Sequence, residues 1–466
     1  MATWDTQPVA VRSRRQDAAV RNQIRHGIGP FSPYWRGRFR ALGISASTVC
    51  SVDDLARLPA VGERDVSPDG DPGGMAALVL QASEAGYALH GAGPMVRRAL
   101  LRRLVDRDAY RRVVEMDTRP TTFTFTGLGF QYPIASTRGD LDLIARAGRR
   151  LWEVLGLGPD DVLVVATPPG ATGENLALSY AALASGAPAL FPGADAAVVA
   201  ATLRLVPARV LAAPAAAAAD LIDDLAEAGV DLSAVHTLLL VGAPSEPERR
   251  AAVAAITAVT PAAVVLAVHA PAGARVLWGE CRASAGRPVG YHTYPDLEVV
   301  QDVAPDTGEV HREGPAEPVV TQLRFRGSAL VRWRTGDVAA GPVDAAPCPA
   351  CRRTLPRVPS QLRRAALVPS LGPVGGAVDL RAVAGALFGR PDLLDWRIEI
   401  GTRSRDDRTQ LVVHYLTEAD PAEAAVRAAA DIKLAAGTFP AQLVAAEQGE
   451  LPRADGALGA RFVLRR

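Results

Sequence analysis

Cys348 and Cys351 stand in CPAC, and the upstream stretch GECRASAGRPVGYHTY carries Cys281 and His292. Two thiolates at CxxC spacing can grip one tetrahedral metal from a single turn, and a further Cys and His would complete a Cys3His set. Four protein ligands leave no open position, so such a metal is a structural zinc and takes no part in chemistry. The competing reading is three buried free thiols with an unrelated surface histidine. The spacing favours zinc, and Cys50 is left over, unpaired.

Other stretches carry polar residues where a strand gives way to a loop. RPTTFTFTGLGFQYPIASTRGDL places Thr126 and Gly127 in a Thr- and Gly-containing loop whose backbone N–H groups can wrap phosphates; by itself TGLG reads as a β-turn. GAPSE holds Gly242, Ala243 and Pro244, and LAVHAPAGARVLWGEC holds His269. In LVRWRTGDVA, Asp337 follows Gly336, where a carboxylate can accept from both hydroxyls of a ribose diol; RTGD alone reads equally as a surface turn. The C-terminal LPRADGALGARFVLRR is a basic tail around glycines. It holds Arg453 and Arg461 but no lysine, and Lys433 is the chain's one lysine.

Stepping from these residues to the elements that carry them, the first 115 or so residues read as helical and irregular, a helical entry segment. Beyond it short apolar runs (DVLVVATPP, APALFPG, RVLAAP, TLLLVGAP, AVVLAVHA) alternate with amphipathic stretches such as LDLIARAGRRLWEVLG and EPERRAAVAAITA. That rhythm predicts βαβ units and a mainly parallel sheet, an α/β fold. From about 296 the texture turns β-rich. From about 361 an α-β-β-α-β order predicts a small α+β unit with an antiparallel sheet. The domains are thus 1–360 and 361–466, joined near RVPSQLRRAALVPSLGP.

The 466 residues carry a formal charge of +1, which argues against a nucleic-acid surface. No window holds the ~18 uninterrupted apolar residues of a membrane helix. Four cysteines in a chain of this length suit a reducing cytoplasm. No GxSxG elbow marks a hydrolase.

Taken in order, the Thr/Gly loop, GAPSE, GEC…H, RTGD, CPACRRTLPR and LPRADG resemble the adenylate-forming superfamily (acyl-CoA synthetases, adenylation domains, luciferases), specifically its phenylacetate–coenzyme A ligase-like branch. PFSPYWRGRFRALGISASTVCSVDDLARLP resembles that branch's opening segment, and SYAALASGAPALFPG its acyl-pocket flank. The resemblance implies a large N-terminal α/β domain with a β-rich subdomain and a small C-terminal α+β lid. It implies zinc at Cys281, His292, Cys348 and Cys351. It also implies a nucleotide site at Thr126, Gly127, Gly242, Ala243, Pro244, His269 and Asp337, where ATP and magnesium would activate a small acyl or aryl carboxylate.

The same resemblance exposes departures. The phosphate loop, Ser/Thr-Ser-Gly-Thr-Thr-Gly in the family, reads Phe125, Thr126, Gly127, Leu128, Gly129, Phe130. The family's Tyr-Gly-x-Thr-Glu reads His269, Ala270, Pro271, Ala272, Gly273, without the magnesium glutamate. The family's catalytic lysine falls at about Ala457 or Leu458. The leading expectation is therefore a diverged ligase-like protein with adenylation impaired or lost, so ATP and magnesium are doubtful cofactors and enzymatic status is left open. Two alternatives stand beside it. One is an active acid–thiol or acid–amine ligase in which Arg453 or Arg461 replaces the lysine. The other is a non-catalytic protein partner of a biosynthetic enzyme, its old cleft filled by Leu128, Phe130 and Trp278.

Overall fold

The computed structural model describes all residues except 1–2, 63–64, 67–73, 82–108, 127–131, 171, 274, 306, 365–377, 379, 388–389, 391, 404–407, 437, 448–450, 452–461 and 466. The chain divides into two compact units, Met1–Leu362 and Arg363–Arg466. Among the described residues no helix is long and apolar enough to cross a membrane.

The short apolar runs become strands because Val and Leu, with no polar alternation, suit a strand buried on both faces. In the first unit they are β3 (Leu163–Val165), β4 (Ala189–Leu190), β5 (Val210–Pro214), β6 (Thr237–Val241) and β7 (Val264–His269), all parallel. The sheet then continues antiparallel through β8 (Trp278–Gly279), β9 (Tyr291–His292) and β14 (Arg357–Val358), giving the order β14-β9-β8-β7-β6-β5-β3-β4. A hairpin of β1 (Pro120–Thr126) and β2 (Tyr132–Thr137) precedes this sheet in the chain. The β-rich stretch forms a meander of β10 (Glu298–Val303), β11 (Glu317–Gln322) and β12 (Trp333–Arg334), followed by β13 (Asp337–Ala339).

Amphipathic stretches form the helices α1 (Val9–Gln23), α2 (Pro33–Ala41), α3 (Ala109–Thr118), α4 (Arg138–Val154), α5 (Gly173–Ser185), α6 (Ala196–Leu205), α7 (Ala218–Glu227) and α8 (Glu246–Val259). Helix α4 starts where Thr137 and Asp140 close a capping box, each side chain satisfying an orphan backbone N–H of the other's residue. It then lays Leu143, Ala147, Leu151 and Trp152 into the main core with the strands. The entry segment packs Val20, Ile24, Phe31 and Trp35 against Leu323, Leu330 and Trp333 of the β-rich stretch, as a second core. Helix α1 passes directly into a π-helical turn, Ile24–Ile28.

The second unit has its own core, in which Leu380, Val383 and Leu387 of α9 (Leu380–Leu387) and Ala424, Ala428 and Ile432 of α10 (Pro421–Ala436) meet Trp396, Ile398, Leu411 and Val413. Its sheet is mixed, which corrects the antiparallel expectation. Only β15 (Asp395–Arg403) and β16 (Arg408–Leu416) form an antiparallel pair. β17 (Gln442–Ala445) returns after α10, and a helical crossover delivers a strand parallel to its neighbour. The tail segment Phe462–Arg465, read from sequence as part of a polar tail, is a fourth strand, β18, parallel to β15.

Gly148 of α4 is the point where two helices touch backbone to backbone, since a Cβ there would lie 2.5 Å from the Ala181 Cα of α5. Gly148→Ala is therefore expected to push α4 and α5 apart and cost about 1–3 kcal/mol of stability, read as a lowered urea midpoint.

Candidate functional site

The structure brings Cys281, His292, Cys348 and Cys351 together, with their ligand atoms all within 4.8 Å of one another. Cys281 follows β8, His292 ends β9, and the two CPAC cysteines lie in the loop before β14. The Cys281 and Cys348 sulfurs are 3.9 Å apart, and the Cys351 sulfur is 3.5 Å from His292 Nε2. A tetrahedron with metal–sulfur bonds of about 2.3 Å and metal–nitrogen bonds of about 2.0 Å has edges of roughly 3.8 and 3.5 Å. The four residues therefore fit one metal ion. Three of them are buried, and the Cys351 thiol is held down to about 2, first by its contact with Cys281 and also by His292, while the same contact raises Cys281. That direction favours the thiolate, the form that ligates metal.

The loop bearing these cysteines is tied to the N-terminus. Thr354 N–H donates to Asp5 O at 2.7 Å, and the Arg12 guanidinium donates to the carbonyls of Thr354 and Ala345. Asp5, fully buried, also faces Arg150 at 3.0 Å and Arg353 at 3.6 Å.

The second assembly lies at the carboxyl ends of the parallel strands, where open α/β sheets bind their ligands. His269 is the last residue of β7, and its Nε2 is 2.8 Å from Asp337 Oδ2, each side chain 4% exposed. Trp278 and Tyr291 flank the imidazole, with ring centroids 6.1 and 5.9 Å away. Gly242 takes a left-handed φ of 107° at the end of β6, and its N–H donates to Val268 O, one residue before His269. Ala243 and Pro244 are buried behind it, and Ser245 with Glu248 caps α8. Thr126 ends β1 opposite Tyr132. Gly127, Leu128, Phe130, Arg453, Arg461, Ala457 and Leu458 lie outside the described residues.

Two further carboxylates border this region. Glu280 is buried and receives Arg249 through both oxygens, at 2.7 and 3.1 Å, together with the Ala267 N–H. Glu298 is buried and accepts from Trp278 Nε1 at 2.8 Å and from Tyr294 N–H at 3.1 Å, while its Oε2 has no partner. Sequence reading passed over Glu298, because only the fold places it beneath Trp278.

Burial pushes the Glu298 carboxyl from 4.5 up to about 7, against the two hydrogen bonds that act the other way. The native state then holds a proton that the unfolded chain has lost between those values. Stability present below pH 4.5 is accordingly lost as pH rises through 7 and is flat above it. Glu298→Gln keeps both accepted hydrogen bonds without a charge. It is expected to match the parent near pH 4 and exceed it by about 1–3 kcal/mol at pH 8, in urea titrations run across pH.

No family model matches the chain, and no curated protein matches it. Among solved structures it is similar to 2-hydroxyisobutyryl-CoA ligase in the postadenylation state in complex with 2-HIB-AMP, with a TM-score of 0.70 at 17% identity over 99% of this chain and 91% of that one. The ATP-bound RpMatB-BxBclM chimera B1 matches with a TM-score of 0.52 at 14% identity over 75% of this chain and 67% of that one. The McyG A-PCP structure complexed with phenylalanyl-adenylate gives 0.51 at 9% identity over 74% and 65%. The resemblance read from the motifs holds at the level of architecture: the chain has the fold of the adenylate-forming ligases.

Proposed function

We propose that this chain is a diverged member of the phenylacetate–coenzyme A ligase-like branch in which ATP-dependent carboxylate adenylation is impaired or lost. The observation that carries the reading is the buried His269–Asp337 pair. Asp337 is the carboxylate that the resemblance assigns to the ribose diol, and one of its oxygens is committed to an imidazole inside the protein. Opening that pair to admit a ribose costs a buried hydrogen bond to a charged group, about 1.5–3 kcal/mol. The histidine stands where the resemblance puts the adenine-stacking aromatic, so a single contact turns two nucleotide contacts inward. Glu280, the acid nearest in sequence to the missing magnesium glutamate, is neutralised by Arg249 and is no substitute for it. The cleft keeps a role in holding a small acyl or aryl carboxylate or a protein partner. The free thiols suit a cytoplasmic setting.

Cys281, His292, Cys348 and Cys351 would hold a structural zinc in this reading. When bound, the zinc supplies a cross-link among β8, β9 and the loop before β14, and no catalytic chemistry. The protein purified without chelator is expected to carry one zinc per chain by elemental analysis. Cys348→Ser is expected to lose it and to melt several degrees lower, with early proteolysis near the N-terminus because Asp5 and Arg12 are anchored on that loop. A metal-free parent with an unchanged melt would refute the assignment.

Calorimetry of the zinc-loaded protein with ATP tests the main reading without a guess at the carboxylate. No magnesium-dependent binding is expected at millimolar ATP. Magnesium-dependent binding in the micromolar range that disappears in Asp337→Asn would establish a working nucleotide cleft and overturn it.

A further inference from the structure

A crevice of about 480 Å³ opens between α1, the start of α4 and the turn after β11. None of Gly242, Ala243, Pro244, His269 or Asp337 lines it. Three guanidiniums do, those of Arg146, Arg324 and Arg326, beside the amide of Asn22. Several buried or half-buried arginines elsewhere are matched to carboxylates, as Arg150 is to Asp5, Arg249 to Glu280, Arg334 to Glu317 and Arg390 to Asp392. Among the described residues the three crevice arginines form no ion pair within 4 Å. Two acids share the crevice, Asp117 and Asp140. Asp140 is already committed: it accepts from the N–H groups of Arg326 and Gly327 at 2.7 Å and faces Arg275 at 3.4 Å. That leaves three cations against the exposed Asp117.

The turn that carries two of these arginines is held rigidly. Arg324 sits at a left-handed φ of 71°, which a non-glycine residue keeps only where its surroundings enforce it. Gln23, buried at the end of α1, does so by accepting the Arg324 N–H at 3.1 Å and donating to Phe325 O at 2.9 Å. Asp140 fixes the next two N–H groups. Helix α1 makes room alongside, because a Cβ on Gly27, within the π-helical turn, would overlap the Arg326 guanidinium. Arg326 Nη1 is buried there with no hydrogen-bond partner, and burial lowers its affinity for a proton. A π-turn, a pinned left-handed residue and an unsatisfied guanidinium meeting at one cavity describe a built receptor for negative charge.

We propose that this crevice binds a phosphoryl polyanion, a small molecule carrying two or more phosphate charges. Guanidinium forks match phosphate oxygens in pairs, three of them exceed what one carboxylate neutralises, and the volume is that of a small-ligand pocket. The site stands independently of whether the nucleotide cleft works.

Titration of the full-length protein with inorganic tripolyphosphate tests the proposal. One saturable site is expected, weakened about tenfold by Arg146→Ala and by Arg324→Ala, the loss of one charge-assisted contact each. Both side chains are exposed, so neither change removes packing. Asp117→Asn is expected to tighten binding, and Asp337→Asn to leave it unchanged. Magnesium-free ATP in place of tripolyphosphate separates an esterified phosphate chain, which then binds as tightly or tighter, from a free one. Absence of saturable binding, indifference to both arginine changes, or equal affinity for citrate would overturn the proposal.

Discussion

The antiparallel end of the large sheet, β8, β9 and β14, depends on the Cys3His cluster. β8, β9 and β14 are two residues long each, too short for their ladder bonds to define a position against water. What fixes them is the convergence of Cys281, His292, Cys348 and Cys351 into one small volume, because those four side chains leave from the ends of β8 and β9 and from the loop entering β14. The consequence reaches the cleft. Trp278 and Tyr291, the two rings flanking His269, are themselves residues of β8 and β9. The wall of the cleft is thus carried by the same strands that help bring those four side chains together. The N-terminus, through Asp5 and Arg12, rests on the same loop.

Within that frame the buried charges around the cleft are largely paired inside the protein. His269 meets Asp337, Arg249 meets Glu280, and Arg275 meets Asp140. Such pairs return little net stability, because desolvation offsets the attraction, yet breaking one strands a charge in a low-dielectric interior at a cost of about 3–5 kcal/mol. A nucleotide site needs the opposite arrangement, with polar groups fixed in place but free to meet the incoming phosphate, ribose and metal. Arg275 shows how complete the inward turn is. It lies two residues after Gly273, the position matched to the family's magnesium glutamate, and is buried on Asp140 and the Phe325 ring, with its affinity for a proton lowered to about 10 by burial.

What the sequence disclosed follows from range. Strand runs such as TLLLV act over a few positions, and they emerged as read, whereas the capping box of Thr137 and Asp140 became plain only in the structure. Cys281 and Cys351 stand 70 positions apart, but CxxC is a local sign that calls for distant partners, so the clustering of the four residues was legible too. The His269–Asp337 bond was not, because both residues read as ligand contacts and nothing local says they face each other. Gln23 and Phe325, 302 positions apart, carry no mark at all in an amphipathic helix and an apolar turn. The mixed sheet of the second unit was missed for a related reason: FVLR is a strand only because β15 offers it an edge, and that edge is tertiary.

The near absence of lysine sharpens the meaning of the arginines. A guanidinium stays charged on burial, so it can serve where an ammonium would give up its proton, and this chain uses it structurally. Arg332, buried and at a left-handed φ of 44°, has no carboxylate in its hydrogen-bond set and ties down the carbonyls of Leu55, Ala56 and Leu58. Arg12 does the same for the loop that carries Cys348 and Cys351. An arginine spent on backbone carbonyls or on a buried acid is a fastener, and its geometry is already exhausted. An abundance of arginine of this kind is no sign that a clamp able to meet a carboxylate and a phosphate in turn survives. The guanidiniums that say something about ligands are those the fold has positioned but not consumed, and among the described residues Arg146, Arg324 and Arg326 gather apart from His269 and Asp337, around the turn that Gln23 and Asp140 hold.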